Sequence, residues 1–147
     1  MDRRKFLRLS TSVTAAGMIQ SHAAPLLNSV NAKSRPRDMT AVEFHAARRF
    51  VRTAQGRIAY FERGTGPVAL FLHGFPLNSF QLRGVIPWLA QDRRCIAPDC
   101  LALGYTEVAS GQSVTPAVQV DMLAELLGKL SIVAVDLIAN DSGGAVA

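Results

Sequence analysis

The sequence predicts an α/β fold, a mainly parallel sheet flanked by helices, and three observations predict it. Apolar runs and turn residues alternate regularly from Phe50 onward. Val68–Leu72 is continuously apolar, the pattern of a strand buried on both faces. Segments of helical period then alternate with further apolar runs, the strand–helix–strand order that gives parallel pairing through right-handed crossovers.

The elements follow in order. Phe50–Thr53 and Arg57–Glu62 read as two short strands around a turn at Gln55-Gly56. Gly64-Thr65-Gly66-Pro67 is a second turn, leading into the strand Val68–Leu72. Ser79–Ala90 reads as partly helical, broken by Gly84 and Pro87. Arg94–Ala97 is a strand ended by Pro98-Asp99. Thr115-Pro116 supplies a hydroxyl N-cap followed by proline, a helix start. Val118, Met122, Leu123, Leu126, Leu127 and Leu130 then share one helical face. Ile132–Ala139 is a last apolar strand, and Asn140–Ala147 opens a helix of small residues. An apolar strand belongs inside a sheet, so more sheet is expected beyond it.

The 147 residues suit one domain, and a chain 49% hydrophobic and 18% charged is globular rather than disordered. The net charge of +5 is uneven, because Arg3, Arg4, Lys5 and Arg8 face only Asp2 in the first 24 residues. A second basic stretch, Lys33 to Arg63, reads as solvated linker and strand surface. It has no interleaved aromatic platform, so no nucleic-acid partner is expected. Cys95 and Cys100 would lie about 16 Å apart along an extended segment, too far for a disulfide, and read as buried free thiols. No apolar run reaches membrane-spanning length, so no stable membrane span is expected.

Asp2-Arg3-Arg4-Lys5-Phe6-Leu7-Arg8 precedes a weakly apolar run to Ile19 and the small-residue site Ser21-His22-Ala23-Ala24. This resembles a twin-arginine signal. It implies the twin-arginine export machinery as a partner and a periplasmic or extracellular destination. The expected organisation is a signal over residues 1–24, a polar tether over 25–46 and a partial α/β domain over 47–147.

Two motifs carry chemistry. His73-Gly74-Phe75-Pro76 directly follows the strand Val68–Leu72. Ala139-Asn140-Asp141-Ser142-Gly143-Gly144 follows an apolar strand and opens a helix, the setting of a strained turn that presents a nucleophile. Residues two before and two after that nucleophile must be small. Asp141 has Ala139 and Gly143; Ser142 has the bulkier Asn140, and Gly144. Asp141 fits better, and Ser142 remains the alternative. A third stretch, Pro98-Asp99 followed by Leu103-Gly104-Tyr105-Thr106, completes an ordered set.

This set resembles the α/β-hydrolase superfamily, in particular its epoxide hydrolase and haloalkane dehalogenase branch, over residues 50–147. The resemblance implies the N-terminal half of an α/β-hydrolase fold, truncated after the nucleophile elbow. It implies Asp141 as nucleophile, with the backbone N–H groups of Phe75 and Ser142 as oxyanion donors. His73, Gly74, Pro76, Asp99, Gly143 and Gly144 support the motifs, with His73 and Asp99 structural. The implied chemistry is attack on a small apolar electrophile, an alkyl-ester intermediate, then hydrolysis by water activated by a histidine and an acid. No metal or organic cofactor is implied. Phe75 and Ser142 stand where haloalkane dehalogenases commonly carry Asn and Trp to hold halide, which leaves the substrate open.

None of His22, His45 and His73 matches the catalytic histidine, so the 147-residue chain is expected to be incomplete and inactive alone. Two other readings remain. One is an esterase- or lipase-type serine hydrolase using Ser142; the other is a non-catalytic exported remnant. A dinucleotide fold is disfavoured because Gly64-Thr65-Gly66-Pro67 precedes a strand rather than a helix.

Overall fold

A computed structural model describes Ser34 and residues 36–147, and the expected signal of residues 1–24 lies outside them. A five-stranded sheet runs in the order β1-β2-β4-β3-β5. Its strands are β1 Arg48–Thr53, β2 Gly56–Arg63, β3 Val68–Leu72, β4 Arg94–Pro98 and β5 Asp136–Ala139. Among the described residues three α-helices accompany them, α1 Ala41–Ala46, α2 Ile86–Leu89 and α3 Pro116–Lys129. Short 3-10 helices span Ser79–Leu82 and Asp141–Ala145.

Four of the five strands run the same way, as the expected mainly parallel sheet requires, and β2 is the exception. β2 pairs antiparallel with both β1 and β4, whereas β3 pairs parallel with β4 and β5. The hairpin places Thr53 opposite Gly56, leaving Ala54-Gln55 as the link. Gly56 has φ +142°, and a Cβ there would lie 2.2 Å from the Glu107 carbonyl oxygen. Only glycine fits that close approach.

Alternation along the central strands makes two cores. Ile58, Tyr60, Leu70, Leu72 and Ile96 face Met122, Leu123 and Leu126 of α3. Phe61, Ala69, Phe71, Cys95 and Ala97 face the other way, onto Phe44 of α1 with Leu82 and Ile86. β3 is therefore buried on both faces, as its unbroken apolar run predicts. The expected stripe on α3 holds too: Val118, Leu127 and Leu130 pack at its margin.

Several local readings change. The last six residues of the expected tether form α1, fastened by a capping box between Thr40 and Glu43, with Phe44 fully buried. Pro87 does not break a helix but sits in the first turn of α2, where its missing N–H costs nothing. Thr115 begins α3 without a side-chain cap; its hydroxyl accepts from Ser113 Oγ instead. β5 covers only Asp136–Ala139 of the expected Ile132–Ala139, and all four residues are exposed. Among the described residues it is an edge strand, bonded only to β3. Cys95 and Cys100 are free buried thiols. No helix among the described residues is long and apolar enough to cross a membrane.

Candidate active site

Parallel pairing of β3 and β5 brings the two motifs together. Leu72 lies opposite Ala139, and the Asn140 N–H donates to the Leu72 carbonyl at 3.0 Å. His73-Gly74 therefore leaves the sheet beside Asn140-Asp141. There the chain turns sharply: Asp141 has φ +52°, in the left-handed region that few residues with a Cβ adopt. The 3-10 helix starts at Asp141 itself.

The glycines show how tightly this turn is seated. A Cβ on Gly143 would lie 2.8 Å from the Leu72 carbonyl oxygen and 2.9 Å from its Cβ. A Cβ on Gly74 would lie 2.8 Å from the Asp141 Cβ. Gly144 has nothing within 4 Å. The requirement for a small residue thus falls two positions after Asp141, not two after Ser142. The positive φ falls on Asp141 as well.

Asp141 is exposed, and its Oδ1 accepts the Ser142 N–H. One carboxylate oxygen is thus held on the backbone of the next residue. Phe75 is 67% exposed, and its N–H forms no hydrogen bond among the described residues. Pro76 follows through a cis peptide.

His73 and Asp99 are pinned in the interior. The Cys100 N–H donates to His73 Nε2 at 3.0 Å, so that nitrogen is an acceptor and Nδ1 carries the proton. Nδ1 donates to the Gly74 carbonyl at 3.0 Å. With both nitrogens used at 1% exposure, His73 is not placed as a general base. Asp99 is fully buried and accepts from Ser79 N–H at 2.8 Å and Tyr105 N–H at 2.9 Å. It thereby ties the loop after β3 to the loop after β4. Arg48 Nε lies 3.8 Å from Asp99 Oδ2, and the guanidinium stacks 3.7 Å from the Tyr105 ring centroid. The sequence gives no sign of this buried pair, since Arg48 reads there as one more surface cation. Burial pushes the thiols of Cys95 and Cys100 up to about 11, with Asp99 adding to the effect at Cys100.

A cavity of about 350 Å³ opens beside the elbow, lined mainly by apolar groups that include Phe75, Leu101, Val114 and Val146. Ser142 and Gly143 belong to its wall; Asp141 does not. Gln119, at 7% exposure, is its principal buried polar group, and its Oε1 accepts the Leu101 N–H at 2.9 Å. Among the described residues no group of three or more His, Cys, Asp or Glu side chains is placed to hold a metal ion.

This geometry, a strained strand-to-helix turn seated against a His-Gly-Phe-Pro loop, is that of an α/β hydrolase. The profile of the alpha/beta hydrolase fold family matches residues 67–147, and the chain belongs to that family. Its relatives include haloalkane dehalogenases and an epoxide hydrolase. It is 40% identical over 81 residues to haloalkane dehalogenase 2 of Mycobacterium tuberculosis, covering 55% of this chain and 27% of that protein. It is 35% identical over 91 residues to a soluble epoxide hydrolase of Corynebacterium sp., covering 62% and 32%. Among solved structures, one described as a putative epoxide hydrolase from Pseudomonas aeruginosa superposes with a TM-score of 0.65 at 25% identity, over 67% of this chain and 33% of that one. A haloalkane dehalogenase loop variant from Bradyrhizobium elkanii superposes at 0.63 with 33% identity, over 67% and 33%. The chain therefore spans roughly a third or less of the proteins it matches.

Proposed function

We propose that this chain carries the nucleophile of a hydrolase that works through an alkyl ester on Asp141, acting on small apolar electrophiles such as epoxides or alkyl halides. The observation that carries the reading is the conformation of Asp141. Its positive φ, the tight seat of Gly143 and the Ser142 N–H on its carboxylate support a nucleophile turn centred on residue 141.

The free carboxylate oxygen of Asp141 attacks the electrophilic carbon. A C–O bond forms as the bond to the leaving group breaks, and the electron pair departs on halide or on the epoxide oxygen. The oxygen held by Ser142 N–H becomes the ester carbonyl. When water adds to that carbonyl, the same oxygen takes the developing negative charge, where a fixed backbone donor contributes about 3–4 kcal/mol. The Phe75 N–H is the second proposed donor. A histidine, oriented by an acid, activates the water. Neither His45, bonded to Arg48, nor His73, held at both nitrogens, is placed for this. The hydrolytic half is accordingly a proposal about the whole protein. The mainly apolar cavity supports a small apolar substrate. The Arg3-Arg4 motif supports export through the twin-arginine machinery.

Ser142 as nucleophile is the second reading, favoured by one observation: Ser142 lines the cavity and Asp141 does not. The relatives also include a 2-hydroxymuconate semialdehyde hydrolase of Pseudomonas sp., 42% identical over 65 residues. Incubation with an alkyl epoxide, followed by peptide mass analysis, separates the two. The ester is expected on Asp141 and lost in Asp141→Ala. Labelling of Ser142 by a fluorophosphonate, with no adduct on Asp141, would reverse the assignment.

A further inference from the structure

We infer that Gln81 is a positioning residue for the Phe75 oxyanion donor, an inference that rests on the Asp141 reading above. The donor sits immediately after the residue least able to hold it still. Gly74 must be glycine because a Cβ would lie 2.8 Å from the Asp141 Cβ. Glycine leaves the backbone on both sides of it free to turn. A donor aimed at a developing charge needs a fixed direction.

The structure clamps both peptide planes that meet at Gly74. The plane between residues 74 and 75 contains the Gly74 carbonyl and the Phe75 N–H, which point in opposite directions across a trans peptide. That carbonyl accepts from His73 Nδ1 at 3.0 Å and from the Leu77 N–H at 3.0 Å. The plane between residues 73 and 74 contains the Gly74 N–H, which donates to Gln81 Oε1 at 3.0 Å. The donor here is a backbone N–H, so the oxygen of the Gln81 amide is the atom that faces it. Holding one plane alone would still let the other rotate about Gly74. Among the described residues, Gln81, from the 3-10 helix Ser79–Leu82, is the only side chain from outside the motif that hydrogen-bonds this glycine's backbone. It forms no hydrogen bond with Asp141 among the described residues, so the route proposed for it runs through Gly74.

The test reads the hydrogen bond and the chemistry separately. Amide exchange at Gly74 is compared in the wild type, Gln81→Leu and Gln81→Glu, all checked for the same cooperative melt. Gln81→Leu should lose about tenfold in protection, and Gln81→Glu, which keeps an acceptor oxygen, should recover it. The Asp141 ester is then formed with an alkyl epoxide and cleaved by hydroxylamine. Nitrogen adds to the ester carbonyl, the alkoxide leaves with a proton, and a hydroxamate remains. This step raises the same oxyanion without any histidine. Ester formation should proceed alike in all three proteins, whereas cleavage should slow about tenfold or more in Gln81→Leu and recover toward wild type in Gln81→Glu. Equal cleavage rates in wild type and Gln81→Leu overturn the role of Gln81 while leaving Asp141 in place. Failure of the wild type to form any ester on Asp141 overturns both.

Discussion

Two residues decide which of Asp141 and Ser142 is the apex of the turn, and both are glycines. Gly143 packs against Leu72 with no room for a methyl group, and Gly74 does the same against Asp141. Gly143→Ala and Gly74→Ala should each cost about 1–3 kcal/mol in chemical denaturation, the usual penalty for overpacking. Gly144→Ala enters open space and should stay within about 0.5 kcal/mol. The reverse order would place the apex on Ser142. Asp99 offers a second test of the site's frame. Removing its carboxylate leaves Arg48 charged and buried, its side chain only 3% exposed, with no anion beside it. Asp99→Ala should therefore cost about 3–5 kcal/mol, again by denaturation. A loss under about 1 kcal/mol would mean that the Arg48–Asp99 pair organises nothing.

Among the elements, α1 shows a helix too short to stand by propensity and held by its cap. Hydrogen bonds from Arg37, and then from the Thr40 backbone and hydroxyl, pull the Glu43 carboxyl down to about 2. A carboxylate depressed on folding stabilises above its unfolded value, near 4.5, and that support drains away as pH falls through about 2. The melting temperatures of wild type and Glu43→Gln should differ above pH 4.5 and converge toward pH 2. The Thr40–Glu43 spacing was readable in the sequence as a capping box, yet the polar residues around it read as tether. The other departures share one cause, that neighbours rather than local pattern decided them. Pro87 breaks a helix or starts one according to where the preceding turn ends. Ile132–Val135 is as apolar as β5, but β3 has only five residues for it to pair with.

At the scale of the whole molecule, the ordered motifs carried most of what the sequence could say. The run Val68–Leu72 forecast a strand buried on both faces. Gly74 and Gly143 were legible as parts of two motifs 69 residues apart, and the structure joins those motifs through β3 and β5. What stayed hidden were side chains whose partners lie far along the sequence. Arg48 reaches Asp99 across 51 residues, and Gln119 reaches the Leu101 backbone across 18. Gln81 carries no pattern at all, because its partner is a backbone N–H that no residue type announces. The order of the strands stayed hidden for a related reason. β4 enters between β2 and β3, and strand order is not written in the alternation of apolar runs.

The most direct test of the account is the mass of the Asp141 peptide after exposure to an alkyl epoxide. The account predicts a gain equal to the epoxide, located on Asp141, sensitive to hydroxylamine and absent in Asp141→Ala. An adduct on Ser142, or none in a protein whose cooperative melt shows it folded, would contradict it.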